Sequence, residues 1–200
     1  ELDSIWTRLS YHVWWPGQGN DPMYLANTNM NRIRNNYYEN NYTPHMFTNG
    51  KDSGSNTTNW KNDPKNYLNK IGLHEISISG YQSGNDIAFN VTSSSIKNTA
   101  SGQDIRLFIA TVMDLVKYPN SPNGLIDHHN AVIEQIVGDE GKKMSFISGV
   151  NYTETFNWSI PTTWVNHSDI TWDSDGLKVV AWIQNYTTKE IFQVSELNFD

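Results

Sequence analysis

Cysteine is absent from the 200 residues. That absence excludes disulfides, cysteine metal ligands and thiol catalysis within this stretch, because each depends on a sulfur the chain does not carry. It does not fix the compartment. Positive charge is also scarce: 14 Lys and Arg stand against 21 Asp and Glu, for a formal charge of -7 and a pI near 5.3. No Lys/Arg stripe forms, so no nucleic-acid partner is expected, since phosphate-backbone binding needs clustered cations. Long apolar runs are missing too. None approaches the roughly 18 residues of a spanning helix, and the opening ELDSIWTR lacks the basic-then-apolar pattern of a leader.

What the chain does carry is aromatic area. Hydrophobic residues make up only 37% and mean hydropathy is -0.60, yet eight Trp and ten Tyr supply large apolar surface from few positions. The length is compatible with one domain or two small ones.

Residues 8–14, LSYHVWW, read as a strand that stops at Pro16-Gly17. Leu25, Met30, Ile33 and Tyr37 fall near helical spacing, which predicts a helix over 25–38. Pro44 breaks that pattern, HMFT (45–48) reads as a strand, and Asn49-Gly50 is a hairpin turn. A polar stretch follows over 52–59, and Pro64 opens a short helix to about Leu68. Beyond Lys70 the pattern changes to strands at 73–81, 86–94, 104–118, 142–150, 153–160, 177–186 and 190–197, separated by Gly, Asn, Asp and Pro clusters. That spacing predicts a β-sandwich. Residues 130–138 fit both a strand and a helix, and the Asp139-Glu140-Gly141 turn favours a strand.

Chemistry-bearing residues are plentiful but scattered. His12, Asp21, His45, His74, His128, His129 and His167 show no ligand-type spacing, and adjacent His128 and His129 on a strand would face opposite sides, so no metal or cofactor is expected. Asp104, Asp114, Glu134, Asp139 and Glu140 contain no recognisable acid pair, and no GxSxG elbow is present. Trp158 and Trp182 lie in predicted strands and belong in a core. Trp164 and Trp172, between polar loop residues, are the candidate exposed platforms for a sugar. Asn-x-Ser/Thr sequons begin at Asn41, Asn56, Asn90, Asn151, Asn157, Asn166 and Asn185, seven where composition alone gives about four.

Two blocks carry a family resemblance. YHVWWPGQGNDPMYLANTNMNRIRNNYY (11–38) followed by YTPHMFTNG (42–50) resembles secreted thioredoxin-like proteins of Bacteroidota that carry an Omp28-type β-sandwich. Residues 104–146 and 177–194 are similar to that sandwich. The resemblance implies a cis Thr43–Pro44 bond with Thr43, Pro44 and His45 forming the loop beside a redox site, and it brings His12 close to His45. It also implies a Cys-x-x-Cys unit upstream of the YHVWWPG strand, where this sequence has only ELDSIWTR. With no thiolate, these residues alone cannot exchange disulfides.

The resulting expectation is an α+β chain: a partial thioredoxin-like α/β region over 1–71, then an antiparallel β-sandwich over 72–200. It would act as a non-catalytic secreted or cell-surface structural or assembly module, self-associating through the exposed edge of the incomplete thioredoxin-like sheet. The alternatives are a fragment of a thiol-disulfide oxidoreductase whose cysteines lie upstream, and a carbohydrate-binding surface protein.

Overall fold

The computed structural model describes residues 6–15, 17, 19–68 and 70–199. Among the described residues, three of the four α-helices lie in the first third of the chain. Helix α1, Pro22–Ala26, starts where Asp21 Oδ1 accepts from the amides of Met23 (2.8 Å) and Tyr24 (3.3 Å), with proline in the first turn. Asn27 ends α1 and caps helix α2, Thr28–Tyr37, its side chain accepting from the Met30 amide. The predicted helix over 25–38 is therefore two helices broken at an asparagine that hydrogen-bonds the backbone in place of continuing it. Strands β1, Met46–Thr48, and β2, Lys51–Gly54, form a hairpin whose turn residues Asn49 (φ 51°) and Gly50 (φ 81°) are both left-handed. Thr43–Pro44 is cis. Helix α3, Thr57–Asn62, begins within the polar stretch over 52–59, because Asn56 caps it by accepting from Thr58 N. A 3-10 turn at Asp63–Tyr67 follows, with Pro64 near its start.

The remaining elements are β3 (His74–Ser83), β4 (Asp86–Ser95), β5 (Ile105–Lys117), β6 (Asp127–Gln135), β7 (Lys142–Met144), β8 (Tyr152–Ser159), α4 (Thr162–Val165), β9 (Thr171–Trp172), β10 (Leu177–Asn185) and β11 (Ile191–Asn198). The main sheet runs β11-β10-β5-β6, with β7 and β9 also pairing to the long β5, and a three-stranded sheet runs β3-β4-β8. Every pairing of these named strands is antiparallel.

Alternation places the core. Ile87, Phe89 and Val91 of β4 pack with Ile105, Leu107 and Ile109 of β5 and Val179, Ala181 and Ile183 of β10, so the two sheets face each other as a sandwich. His74 stacks on Phe192 at 5.3 Å and brings β3 beside β11, closing one side.

The opposite face of the main sheet is also buried. Phe108, Ala110, Val112, Val132, Val180 and Trp182 cluster with Met30 of α2, and Leu9 and Tyr11 pack against them. All nine residues of β10 are buried as a consequence. Arg34 of α2 sits in this layer, 4% exposed, with its guanidinium 4.9–5.7 Å from the rings of Tyr11, Tyr37, Tyr38, Phe108 and Trp182.

This arrangement corrects the expectation of a thioredoxin-like sheet. Residues 8–14 do not form a strand: Ser10 makes one parallel bridge to Ala131, and the next amide in line for that ladder, His12 N, is taken by Asn31 Oδ1 at 3.0 Å. A side chain from α2 thereby pulls the segment off the β6 edge. The β1–β2 hairpin is a separate two-stranded sheet, so among the described residues the incomplete sheet proposed for self-association is not formed.

Candidate functional site

Three surface features hold the chemistry, and the cis-proline loop is the first. Asn35 Nδ2 donates to Asn40 O (3.2 Å) and Asn40 Nδ2 donates to Asn35 Oδ1 (3.2 Å), which turns Asn40 Oδ1 toward His45 Nδ1 at 2.6 Å. His45 Nε2 lies 2.8 Å from Asp52 Oδ1 and 3.1 Å from Tyr42 Oη. The imidazole is held between Tyr42 (4.1 Å, stacked) and Phe47 (4.3 Å). The His45 bond, with help from the Gly54 amide, holds the Asp52 carboxyl below its ordinary range. Both ring nitrogens are thus occupied, and the loop acts as a clamp between Asn40 and the hairpin, while Thr43 and Pro44 are exposed. An open, mixed-charge groove beside it is lined by Lys51, Asp52, Asp63, Tyr67 and Lys70.

His12 does not join His45; the two have different partners. His12 Nδ1 lies 2.8 Å from Asp21 Oδ2, and its ring centroid is 5.4 Å from that of His128. His128 Nε2 bonds Leu125 O at 3.0 Å, and Tyr118 lies on its other side, 6.3 Å between centroids. Burial works to raise the Asp21 carboxyl, but the bond and charge of His12 and the two α1 amides outweigh it, and the net shift is downward. Burial and the neighbouring His12 push the His128 imidazole below its ordinary value. His128 is buried and His129 exposed, as alternation requires. Among the described residues no three His, Asp or Glu side chains converge as a ligand set.

The third feature is the outer face of the three-stranded sheet. Because Ile87, Phe89 and Val91 point inward, the alternate residues point out, and the register aligns Ser77–Thr92–Thr153, Ser79–Asn90–Thr155 and Tyr81–Ala88–Asn157. Thr92 and Thr153 hydroxyls bond at 2.8 Å, and Thr155 Oγ1 donates to Asn90 Oδ1 at 2.6 Å. Tyr81 is 69% exposed beside the small Ala88.

The tryptophan expectation needs correction. Trp164 is 1% exposed and belongs to the sandwich core, because α4 turns it inward toward Ile160 and Ile170. Trp172 is half-buried against the same core and donates to Trp164 O at 3.4 Å. Trp158 packs on that core and donates to Glu134 Oε2 at 2.8 Å. Trp182 is buried in the outer layer instead. The most exposed aromatic among the described residues is Tyr81, which the sequence signals only through its odd spacing from Ile76 and Ile78, which puts it on the opposite side of β3.

Six sequon asparagines, Asn41, Asn56, Asn90, Asn151, Asn157 and Asn166, are exposed. Asn185 is not an accessible acceptor: it is 8% exposed, and its Oδ1 accepts from the amides of Thr187 and Thr188, both at 3.0 Å.

No protein-family model matches this chain, and no curated protein matches it either. Among solved structures it is similar to a domain of the outer membrane lipoprotein Omp28 from Porphyromonas gingivalis, at 11% identity over 66% of this chain and 91% of that one, with a TM-score of 0.43. It is also similar to Spo0M, a sporulation control protein from Bacillus subtilis, at 14% identity over 64% and 49%, with a TM-score of 0.34. A β-glucosidase from Listeria innocua matches at 14% identity over 65% of this chain and 16% of that one, with a TM-score of 0.31. Each of these scores is too low to carry a functional reading.

Proposed function

We propose that the chain is a non-catalytic module of a secreted or cell-surface protein and that it binds an uncharged polysaccharide on the outer face of the three-stranded sheet. The observation that supports this is the three-row array of Ser, Thr and Asn with the exposed ring of Tyr81 at its edge. Hydroxyl and amide groups on strands spaced about 4.8 Å apart offer paired donors and acceptors to sugar hydroxyls, and an exposed phenol offers a stacking surface. Apart from the phenol, none of the three rows carries an ionisable side chain, which favours a neutral ligand over an acidic or basic one. Asn90 and Asn157 lie in the array, so the reading also requires that their sequons be unoccupied, which an intact mass reports.

Affinity electrophoresis through gels containing neutral polysaccharides tests the proposal. Retardation of the wild-type chain, lost in Tyr81→Ala at unchanged melting temperature, is the expected result. No retardation in any neutral polysaccharide, or equal retardation of the variant, removes it.

A second reading, protein assembly, has its own observation. Leu73 (38% exposed), Ile96 (60%), Ile147 (58%) and Val150 (40%) gather at one end of the sandwich, where Ile96 N bonds Leu73 O and Ser148 Oγ bonds Ile96 O. Light scattering that finds a monomer at every concentration counts against assembly between copies through this patch. The thiol-disulfide alternative needs cysteines supplied from outside these 200 residues, and the flanking coding sequence decides it.

A further inference from the structure

The two histidines at the junction of the N-terminal segment and β6 have an arrangement that neither the clamp nor the sheet face explains. Each ring has one nitrogen fixed by an acceptor. Asp21 Oδ2 faces His12 Nδ1 at 2.8 Å, and the Leu125 carbonyl faces His128 Nε2 at 3.0 Å. A carbonyl or carboxylate oxygen only accepts, so each of those nitrogens carries the proton. In the neutral tautomer the lone pair then sits on the other nitrogen, Nε2 of His12 and Nδ1 of His128. Neither has a hydrogen-bond partner among the described residues, and neither is sealed from solvent.

We propose that His12 and His128 form a two-imidazole site for a borderline divalent transition-metal ion such as Zn2+ or Ni2+, completed by water. Metal–nitrogen bonds of about 2.0–2.1 Å at a tetrahedral angle place two ring centroids roughly 5 Å apart. The observed separation is 5.4 Å, with the planes tilted by 48°. The Asp21–His12 bond supplies the carboxylate partner that ligating histidines commonly have, which fixes the ring and raises its basicity. Asp21 is anchored in turn by the two amides at the start of α1, so it is not free to swing into the ligand position itself. The groups facing His128 are His12, Asp21, Asp127 and the Leu125 carbonyl, and the negative members favour a bound cation. With two protein ligands the site is open, with micromolar affinity as its expected scale, and imidazole ligation selects Zn2+, Ni2+ or Cu2+ over Ca2+ or Mg2+.

The test is isothermal titration of the untagged 200-residue chain with Zn2+ and, separately, Ni2+ at pH 7.5. One equivalent is expected, weakened at least 10-fold in both His12→Gln and His128→Gln and unchanged in His129→Gln and His167→Gln. Asp21→Asn is expected to weaken binding about 10-fold while both ligands remain. Because a variant can fail to fold, histidine-ring 15N spectra of the wild-type chain are recorded with and without Zn2+, and selective shifts of His12 Nε2 and His128 Nδ1 are expected. Absence of binding with either metal in large excess, or shifts confined to other histidines, overturns the site.

Discussion

Replacing Arg34 by methionine separates two accounts of how the N-terminal layer is held on the sheet. The guanidinium is buried, donates one long hydrogen bond (3.3 Å to Tyr38 Oη), and leaves Nε and Nη1 without a partner. No carboxylate pairs with it among the described residues. Burying such a charge costs several kcal/mol. Opposing that cost are five aromatic rings within 5.7 Å, each worth about 0.5–1 kcal/mol and about 2 when desolvated. The two sums are of similar size. Methionine keeps most of the apolar stem and its contacts, so Arg34→Met is expected to change stability by no more than about 1 kcal/mol. Arg34→Ala removes the stem as well and is expected to cost about 2–5 kcal/mol, in the range of a large core truncation. Urea unfolding followed by tryptophan fluorescence measures both, with Trp182 reporting from the cage itself. A loss above about 3 kcal/mol for the methionine variant refutes the balance and means the cation holds the layer in place on its own.

The remaining expectations are simpler. His128 and His74 both sit below the ordinary value of 6.5, each chiefly through burial, so the unfolded chain binds more protons than the folded one as pH falls through 6.5. Stability should therefore be full above that value and decline toward pH 5, and urea midpoints that stay flat across the window would contradict it. A second decline, below about pH 4, is expected from Asp21, Asp52 and Asp104, whose carboxyls are all lowered. Trp164→Ala should cost about 3–5 kcal/mol without any direct effect on a ligand, because the residue is core; a variant as stable as wild type by thermal melting contradicts that placement. Gly50→Ala meets two obstacles, a φ of 81° and a Cβ that would collide with the Lys189 carbonyl, so it should lower the melting temperature by several degrees.

The sandwich was legible because its strands alternate: Ile87, Phe89 and Val91 against Ala88, Asn90 and Thr92 can be read directly as one inward and one outward face. The Asn49-Gly50 hairpin was legible for the same local reason, since few residues other than Asn and Gly accept two successive left-handed positions. The N-terminal reading failed where the deciding partner was distant. LSYHVWW has strand composition, but Asn31 takes the His12 amide from a helix nineteen residues on, and no local pattern announces that. Trp164 misled in the opposite way. Its polar neighbours suggested a loop, while Pro161 followed by two threonines starts one helical turn that points the indole inward. The His12–His128 pair joins two segments far apart in sequence, so spacing could not reveal it.

The second burial layer has a consequence for how the chain can be divided. Composition changes near residue 71, which invites a cut there, with the strands beyond it kept as a free-standing sandwich. Such a cut would strip Tyr11, Met30 and Arg34 from the sheet and leave Phe108, Val112, Val180 and Trp182 facing water across one broad surface. Seen from β10, the first seventy residues are less a neighbouring part than a lid on one side of the protein's own interior, and the smallest piece that folds cleanly should be one that retains them.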